Sequence, residues 1–498
     1  MRALLVTSVG VTCAAALTLP LAAPALSAPA AHSASARPPS LSPESPGSGP
    51  PSARTEAAPE VRGVPEASLA PEAAPPRTGT TRAAALAGST QSLPLEPLAA
   101  PSDRSVGPAA PGQGLDRRTA RPFSLVGVVW DDAEAELHGT VQVRTRARGG
   151  TSWSDWQDVE THNAEHAADL GSAERASGAV RGATAPLWVG DSDGVEVRVR
   201  PEAADPQHGS AAPLPEGLRL ELVDPGEDPA PETAPDASAG RTVTQAMFVG
   251  NPVPPTTTGV VPEVLTAESA ASSAVIPALT KAETAEEAAI VAAGAKPYIG
   301  PRPRIVTRKG WGADEKLRER NFAYTKSVKA AFVHHSATGN NYTCKQAPSV
   351  LRSIYRYHVK SSGWRDFGYN FAVDKCGNIY EGRAGGVSKA VLGAHTLGFN
   401  TNTMGIAVLG TYSSTNPPAA AVTAVSKLTA WKLGLFGANP KGKVTLVSGG
   451  SGKYKKGKKV KMNVISGHRD GFATECPGAR LYKKLGKART SSAKLQGR

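Results

Sequence analysis

The chain has 498 residues, too many for one ordinary hydrophobic core, so two or three domains are expected. Its net charge of +13 is unevenly placed: residues 297–498 carry 35 Lys+Arg against 8 Asp+Glu, a balance of +27, and the remainder balances at −14. Such asymmetry calls for a polyanion as partner of a basic C-terminal domain, nucleic acid or an anionic cell wall, and the N-terminus argues against the first.

Met1-Arg2 is followed by an apolar run, Ala3 to Leu19, and then by small residues, Ala23-Pro-Ala25 and Ala28-Pro-Ala30. This order predicts a secretory signal peptide over 1–30; an uncleaved membrane anchor is the alternative. No other stretch is long and apolar enough to span a bilayer. The expected product is secreted or wall-associated, with neither nucleic acid nor, after signal cleavage, a membrane as partner. Residues 31–121 are dominated by Ala, Pro, Ser and Gly, have little to bury, and read as a disordered stalk.

An accessory domain is expected over 122–225. Phe123–Trp130 reads as a strand, and Thr140–Arg146, Gly194–Arg200 and Gly217–Val223 alternate with period two, which predicts strands with one buried face. The expectation is an all-β sandwich or jelly-roll-like fold. Trp153, Trp156 and Trp188 serve its core or, on the surface, stack on sugars. Residues 226–300 read as a linker, in which the Ala/Glu-rich stretch 279–293 has helical composition.

The last domain is expected over 301–486, with a basic tail at 487–498. Its predicted elements are a buried strand at Ala331–Ser336, a helix at Pro348–Lys360 and a hairpin from Tyr369–Asp374 to Ile379–Glu381. A central strand at Met404–Gly410, a helix at Ala420–Leu435 and a strand at Asn463–Ser466 follow. Strands alternating with helices predict an α/β domain, a mixed central sheet flanked by helices.

Chemistry concentrates at strand ends. His468 and Cys476 lie eight positions apart just after the last strand, and the first strand ends on a histidine pair, His334-His335. Two histidines and a thiolate suit zinc, and three protein ligands leave the fourth tetrahedral position to water, as in a catalytic site. With Cys13 in the signal peptide, three cysteines remain in an oxidising compartment. One reading pairs Cys344 with Cys376 and keeps Cys476 as a metal thiolate; the other pairs Cys476 with one of them. Lys453–Lys461 is a run rich in lysine, either a solvated loop or an anchor for anionic wall polymers.

Phe332-Val-His-His-Ser-Ala337, Gly363–Phe371, Ile379-Tyr-Glu-Gly-Arg383, Gly393-Ala-His395 with Gly398-Phe-Asn400, and Gly467-His-Arg-Asp470 with Thr474-Glu-Cys-Pro-Gly478 occur in one order across about 303–485. Together they resemble the peptidoglycan recognition protein family of type-2 N-acetylmuramoyl-L-alanine amidases. The resemblance implies Zn2+ held by His334, His468 and Cys476, and Tyr369 as the catalytic tyrosine. Thr474, the second candidate catalytic residue, stands where amidase-type phage lysozymes carry lysine. The resemblance also implies a peptidoglycan groove, for which His335, His358, Trp364, Arg383, His395 and Asn400 are the candidate lining. Two functions follow: hydrolysis of the bond between the lactyl group of N-acetylmuramic acid and L-alanine, or peptidoglycan binding without cleavage. Non-catalytic relatives lose the cysteine ligand, so Cys476 favours hydrolysis.

Overall fold

The computed structural model describes residues 88–98, 112–202, 212–229, 273–291 and 298–498. The expected signal peptide, most of the stalk and the centre of the linker lie outside the described residues.

The first domain has eight strands: β1 (Ser89–Pro94), β2 (Glu96–Pro97), β3 (Gln113–Trp130), β4 (Gly139–Ala147), β5 (Gln157–Val159), β6 (Gly182–Ala183), β7 (Leu187–Pro201) and β8 (Arg219–Asp224). They hydrogen-bond as one sheet in the order β1-β8-β3-β7-β4-β5, with β2 and β6 on β3, rather than as two separate sheets. Register shifts between β3 and β7 let these long strands serve both parts of the core. The domain begins earlier than 122. β1 pairs with β8 over six residues, and β3 starts at Gln113, so part of the expected stalk is sheet. Trp188 is buried, whereas Trp153 and Trp156 are half-buried and lie against arginines. The Arg198 guanidinium is 4.0 Å from the Trp156 ring centre.

The second domain has a mixed seven-stranded sheet ordered β17-β11-β14-β12-β13-β10-β9. Its strands are β9 (Val275–Ile276), β10 (Ile305–Val306), β11 (Ala330–His335), β12 (Phe371–Val373), β13 (Ile379–Glu381), β14 (Thr403–Val408) and β17 (Ile465–Gly467). β15 (Lys443–Val447) and β16 (Lys459–Asn463) form a separate hairpin that carries the basic run. The longer helices among the described residues are α1 (Lys281–Val291), α2 (Ala347–Arg356), α3 (Ala419–Leu435) and α4 (Leu485–Gln496). β14 shows why two layers form. Met404, Ile406 and Val408 enter the core under α3, while Ala407 enters the opposite core under α2.

Two expected connectors belong to this domain. β9 pairs with β10, and α1 is tied down by the Thr284 hydroxyl oxygen, which accepts from the Arg302 amide at 2.9 Å, so 273–291 is not linker. The basic tail is α4, packed on α3 through Thr429 and Ser492, whose hydroxyls are 2.7 Å apart. Cys344 and Cys376 form the disulfide, and Cys476 is free and buried.

The domains share a core. Leu125, Val129, Trp188 and Val223 of the first cluster with Leu351, Ile354 and Tyr357 of the second. Tyr357 is fully buried, donates to the Thr184 carbonyl at 3.1 Å, and lies where a side chain at Gly127 would collide with it.

Candidate metal centre

β11, β14 and β17 run parallel, so their carboxyl ends meet at one rim. In β11, Ala331 and Val333 enter the core under α3, and alternation turns His334 to the other face. β17 ends at Gly467, which sets His468 beside His334 with ring centres 4.5 Å apart. One helical turn, His468–Gly471, follows; the Gly467 amide donates to Asp470 at 2.9 Å. The chain then doubles back, and the Arg469 amide donates to the Cys476 carbonyl at 2.9 Å. That return brings Cys476 Sγ to 3.8 Å from His334 Nδ1. Gly478 permits the passage: its φ is 83°, and a Cβ there would lie 2.4 Å from the Tyr412 backbone.

The structure corrects the expectation of an open fourth corner. His166, from the irregular segment between β5 and β6 of the first domain, stands there. Its Nε2 is 3.2 Å from His468 Nδ1 and 3.6 Å from Cys476 Sγ. All four side chains are buried, with one ligand atom each inside a span of 4.8 Å. The set fits zinc. Bond lengths of ~2.0–2.1 Å to nitrogen and ~2.3 Å to sulfur put tetrahedral corners about 3.3 Å apart for two nitrogens and about 3.6 Å for nitrogen and sulfur. Burial, reinforced by the neighbouring rings, lowers the pKa of His334 and His468 far below the ordinary range and that of His166 to about 3, so all three are neutral donors at pH 7. Burial likewise raises the Cys476 thiol, whose deprotonation a bound cation would favour.

Tyr369 stands beside the cluster, 5.2 Å from the His334 ring centre and 5.9 Å from that of His166. Burial drives its pKa well above 10, so the phenol keeps its proton. The strand expected from Tyr369 starts only at Phe371, which enters the α3-side core, while Tyr369 precedes it and lies in the α2-side core. Thr474 accepts from the Cys476 amide at 3.1 Å and donates to Glu165 at 2.7 Å. His335 lines a cavity of about 260 Å³ with His358, Tyr369, Thr474 and His166, and its Nδ1 accepts from the Tyr412 amide.

The other groove candidates divide. Trp364 stacks on His358 with ring centres 4.4 Å apart. Arg383 binds Glu174 of the first domain through two nitrogens, at 2.8 and 2.9 Å. His395 has no exposed surface and lies behind His334, at 5.4 Å between ring centres. Asn400 Oδ1 accepts from the His395 and Thr396 amides, and its Nδ2 donates to Asp169 at 2.7 Å. Sequence reasoning missed His166 because no periodicity or spacing connects an irregular segment of one domain to strand ends of another.

Residues 324–479 match the model of the N-acetylmuramoyl-L-alanine amidase family, and residues 76–216 match the Rv3811 N-terminal galactose-binding domain-like family. Peptidoglycan-recognition protein SC2 of Drosophila simulans is 31% identical over 183 residues, which cover 36% of this chain and 84% of that protein. The N-acetylmuramoyl-L-alanine amidase of Homo sapiens is 31% identical over 190 residues, 37% of this chain and 28% of that protein. A solved structure of peptidoglycan recognition protein-LE in complex with tracheal cytotoxin is 28% identical, covering 37% of this chain and 92% of that one, with a TM-score of 0.29.

Proposed function

This chain belongs to the peptidoglycan recognition protein family, and on that premise we propose that it is a secreted, zinc-dependent N-acetylmuramoyl-L-alanine amidase of peptidoglycan. The observation that carries the reading is the convergence of Cys476 with His334 and His468 beside a protonated tyrosine. Zinc held by His334, His468 and Cys476 would, with its fourth position open, supply a water of pKa ~7 and polarise the scissile carbonyl. Tyr369 donates its phenolic proton to the developing oxyanion. The Thr474 hydroxyl holds the Cys476 amide and so fixes the thiolate's approach. His335 and His358, the latter stacked on Trp364, line the approach of the glycan-peptide beside the metal centre, Arg383 lines a second cavity with Glu174, and His395 and Asn400 brace the site from behind. The β15–β16 hairpin offers Lys453–Lys461 to anionic wall polymers.

A second reading, a binding module with a structural zinc, is favoured by one observation: His166 makes the ligand set four, and closed sites are the structural kind. The two part on the products. Purified peptidoglycan treated with the zinc-loaded chain should release stem peptides with a free L-alanine amine, and Cys476→Ala should release none. Equal release by Cys476→Ala would sink the amidase reading.

A further inference from the structure

We propose that His166 is a releasable fourth ligand and that the segment 160–181 is an intramolecular plug, so that the folded chain is latent until this segment withdraws. The inference rests on the hydrolytic reading for its consequence, latency, but not for the ligand assignment.

The four ligands differ in how they are held. His334 and His468 sit on adjacent parallel strands of one sheet or at their ends, and Cys476 on the loop that Arg469 closes. They move only if that core moves. His166 belongs to the other domain and to a segment with one three-residue helical turn, Arg175–Ser177, and no strand. Its Nδ1 has no hydrogen-bond partner among the described residues; His468 Nε2 has none either, but His468 directly follows strand β17, whereas no helix or strand holds the backbone at His166.

The attachments of the segment to the groove are mostly polar. Glu165 accepts from Thr474 at 2.7 Å, Asp169 accepts from the Gly398 amide at 2.7 Å, and Glu174 is clamped by Arg383 and by the Arg365 amide. The buried apolar side chains it contributes are small, Ala167 and Ala168, and Leu170 is exposed. Three carboxylates of an acidic domain thus lie across a basic domain, and one of them, Glu174, occupies Arg383, a residue of the proposed glycan-peptide approach. Polar attachments of this kind, one of them the Glu174–Arg383 ion pair, can be exchanged for those of an anionic ligand, which a greasy interface cannot. The domains themselves stay docked through the core around Tyr357, so only the segment has to leave. Withdrawal breaks one metal–nitrogen contact and admits one water, and the remaining three ligands are those of a catalytic site.

The test uses the full chain loaded with Co2+ in place of zinc, followed by visible absorption during titration with azide, a small anion that needs a free coordination position. Wild type should give a tetrahedral spectrum indifferent to azide. His166→Ala should shift on azide addition. Asp169→Ala/Glu174→Ala keeps all four ligands and loosens only the anchors; it should also respond, and circular dichroism should show both variants folded. With zinc restored, both should cleave peptidoglycan at least tenfold faster than wild type. An azide-sensitive wild type would remove His166 from the metal. A double variant as indifferent as wild type would make His166 a permanent structural ligand and end the plug. If the spectra behave as expected but no variant cleaves peptidoglycan, the releasable ligand stands and the hydrolytic reading falls.

Discussion

The anchor at Glu174 can be weakened without touching the metal ligands. Both partners of the Glu174–Arg383 pair are buried, with side chains 8% and 7% exposed, and two contacts of 2.8 and 2.9 Å join them. Glu174→Gln keeps the shape, removes the charge and turns an amide donor toward a guanidinium. Stranding one member of a buried pair costs ~3–5 kcal/mol; the lower end applies, because Asp366 also stabilises the Arg383 charge. About 3 kcal/mol raises the opening equilibrium of the segment roughly 150-fold. Hydrogen exchange reads this directly. The amides of His166, Ser172 and Ala176, bonded to Asn163, Asp169 and Ser172, should exchange faster by that factor, while β3 and β7 keep their protection. Acid should weaken the same anchor in wild type. Burial pushes the Glu174 pKa up, but Arg383 and the Arg365 amide more than reverse this, so it lies below the ordinary glutamate value. A depressed carboxylate stabilises above the unfolded value and stops doing so as pH falls through the folded one, so the protection of wild type over Glu174→Gln should shrink below pH 4.5, while Glu165 and Asp169, raised by burial, act in the opposite sense in both proteins. Exchange of the three amides within a few-fold of wild type, or an equal rise in β3, would refute the reasoning.

Tyr369→Phe, compared in the Glu174→Gln background, should retain metal and lose turnover by ~10²–10³, the usual effect of deleting one oxyanion donor, as read by peptide release and metal analysis. Tyr357→Ala should cost ~3–5 kcal/mol in denaturant unfolding and shift probes in both domains together, because the ring fills their shared core. The metal-free protein should lose stability steadily as pH falls from 6.5 toward 4. His335, with a pKa lowered to about 4, and His395, lowered to about 3, stay neutral when folded, while the unfolded chain takes up their protons. A melting temperature flat between pH 7 and 4.5 would contradict this.

His334 and His468 were legible in the sequence because each ends or follows an apolar run whose length and flanks mark a buried strand or its exit, and Cys476 because it lies eight positions beyond His468. Strands Ala330–His335 and Thr403–Val408 and helix Ala419–Leu435 match their expected positions to within two residues for the same reason. The failures share a cause. Residues 113–121 are mostly exposed and charged, and their strand exists because β7 and β2 pair with its backbone. Helix α4 faces α3 with Ala488, Ser492 and Gln496, small or polar residues that make no apolar stripe. His166 is the extreme case: its position follows only from the docking of two domains.

The central claim, that this chain cuts the lactyl–L-alanine amide with a metal at the His334/His468/Cys476 cluster, is tested most directly by mass spectrometry of one digest. Purified peptidoglycan is incubated with zinc-loaded Glu174→Gln protein, with and without chelator, and the soluble fragments are sequenced. Stem peptides starting at free L-alanine, matched by intact lactyl carboxylates on the glycan, abolished by chelator and restored by zinc, are the predicted result. No release, release that survives chelation, or cleavage inside the stem peptide would contradict it.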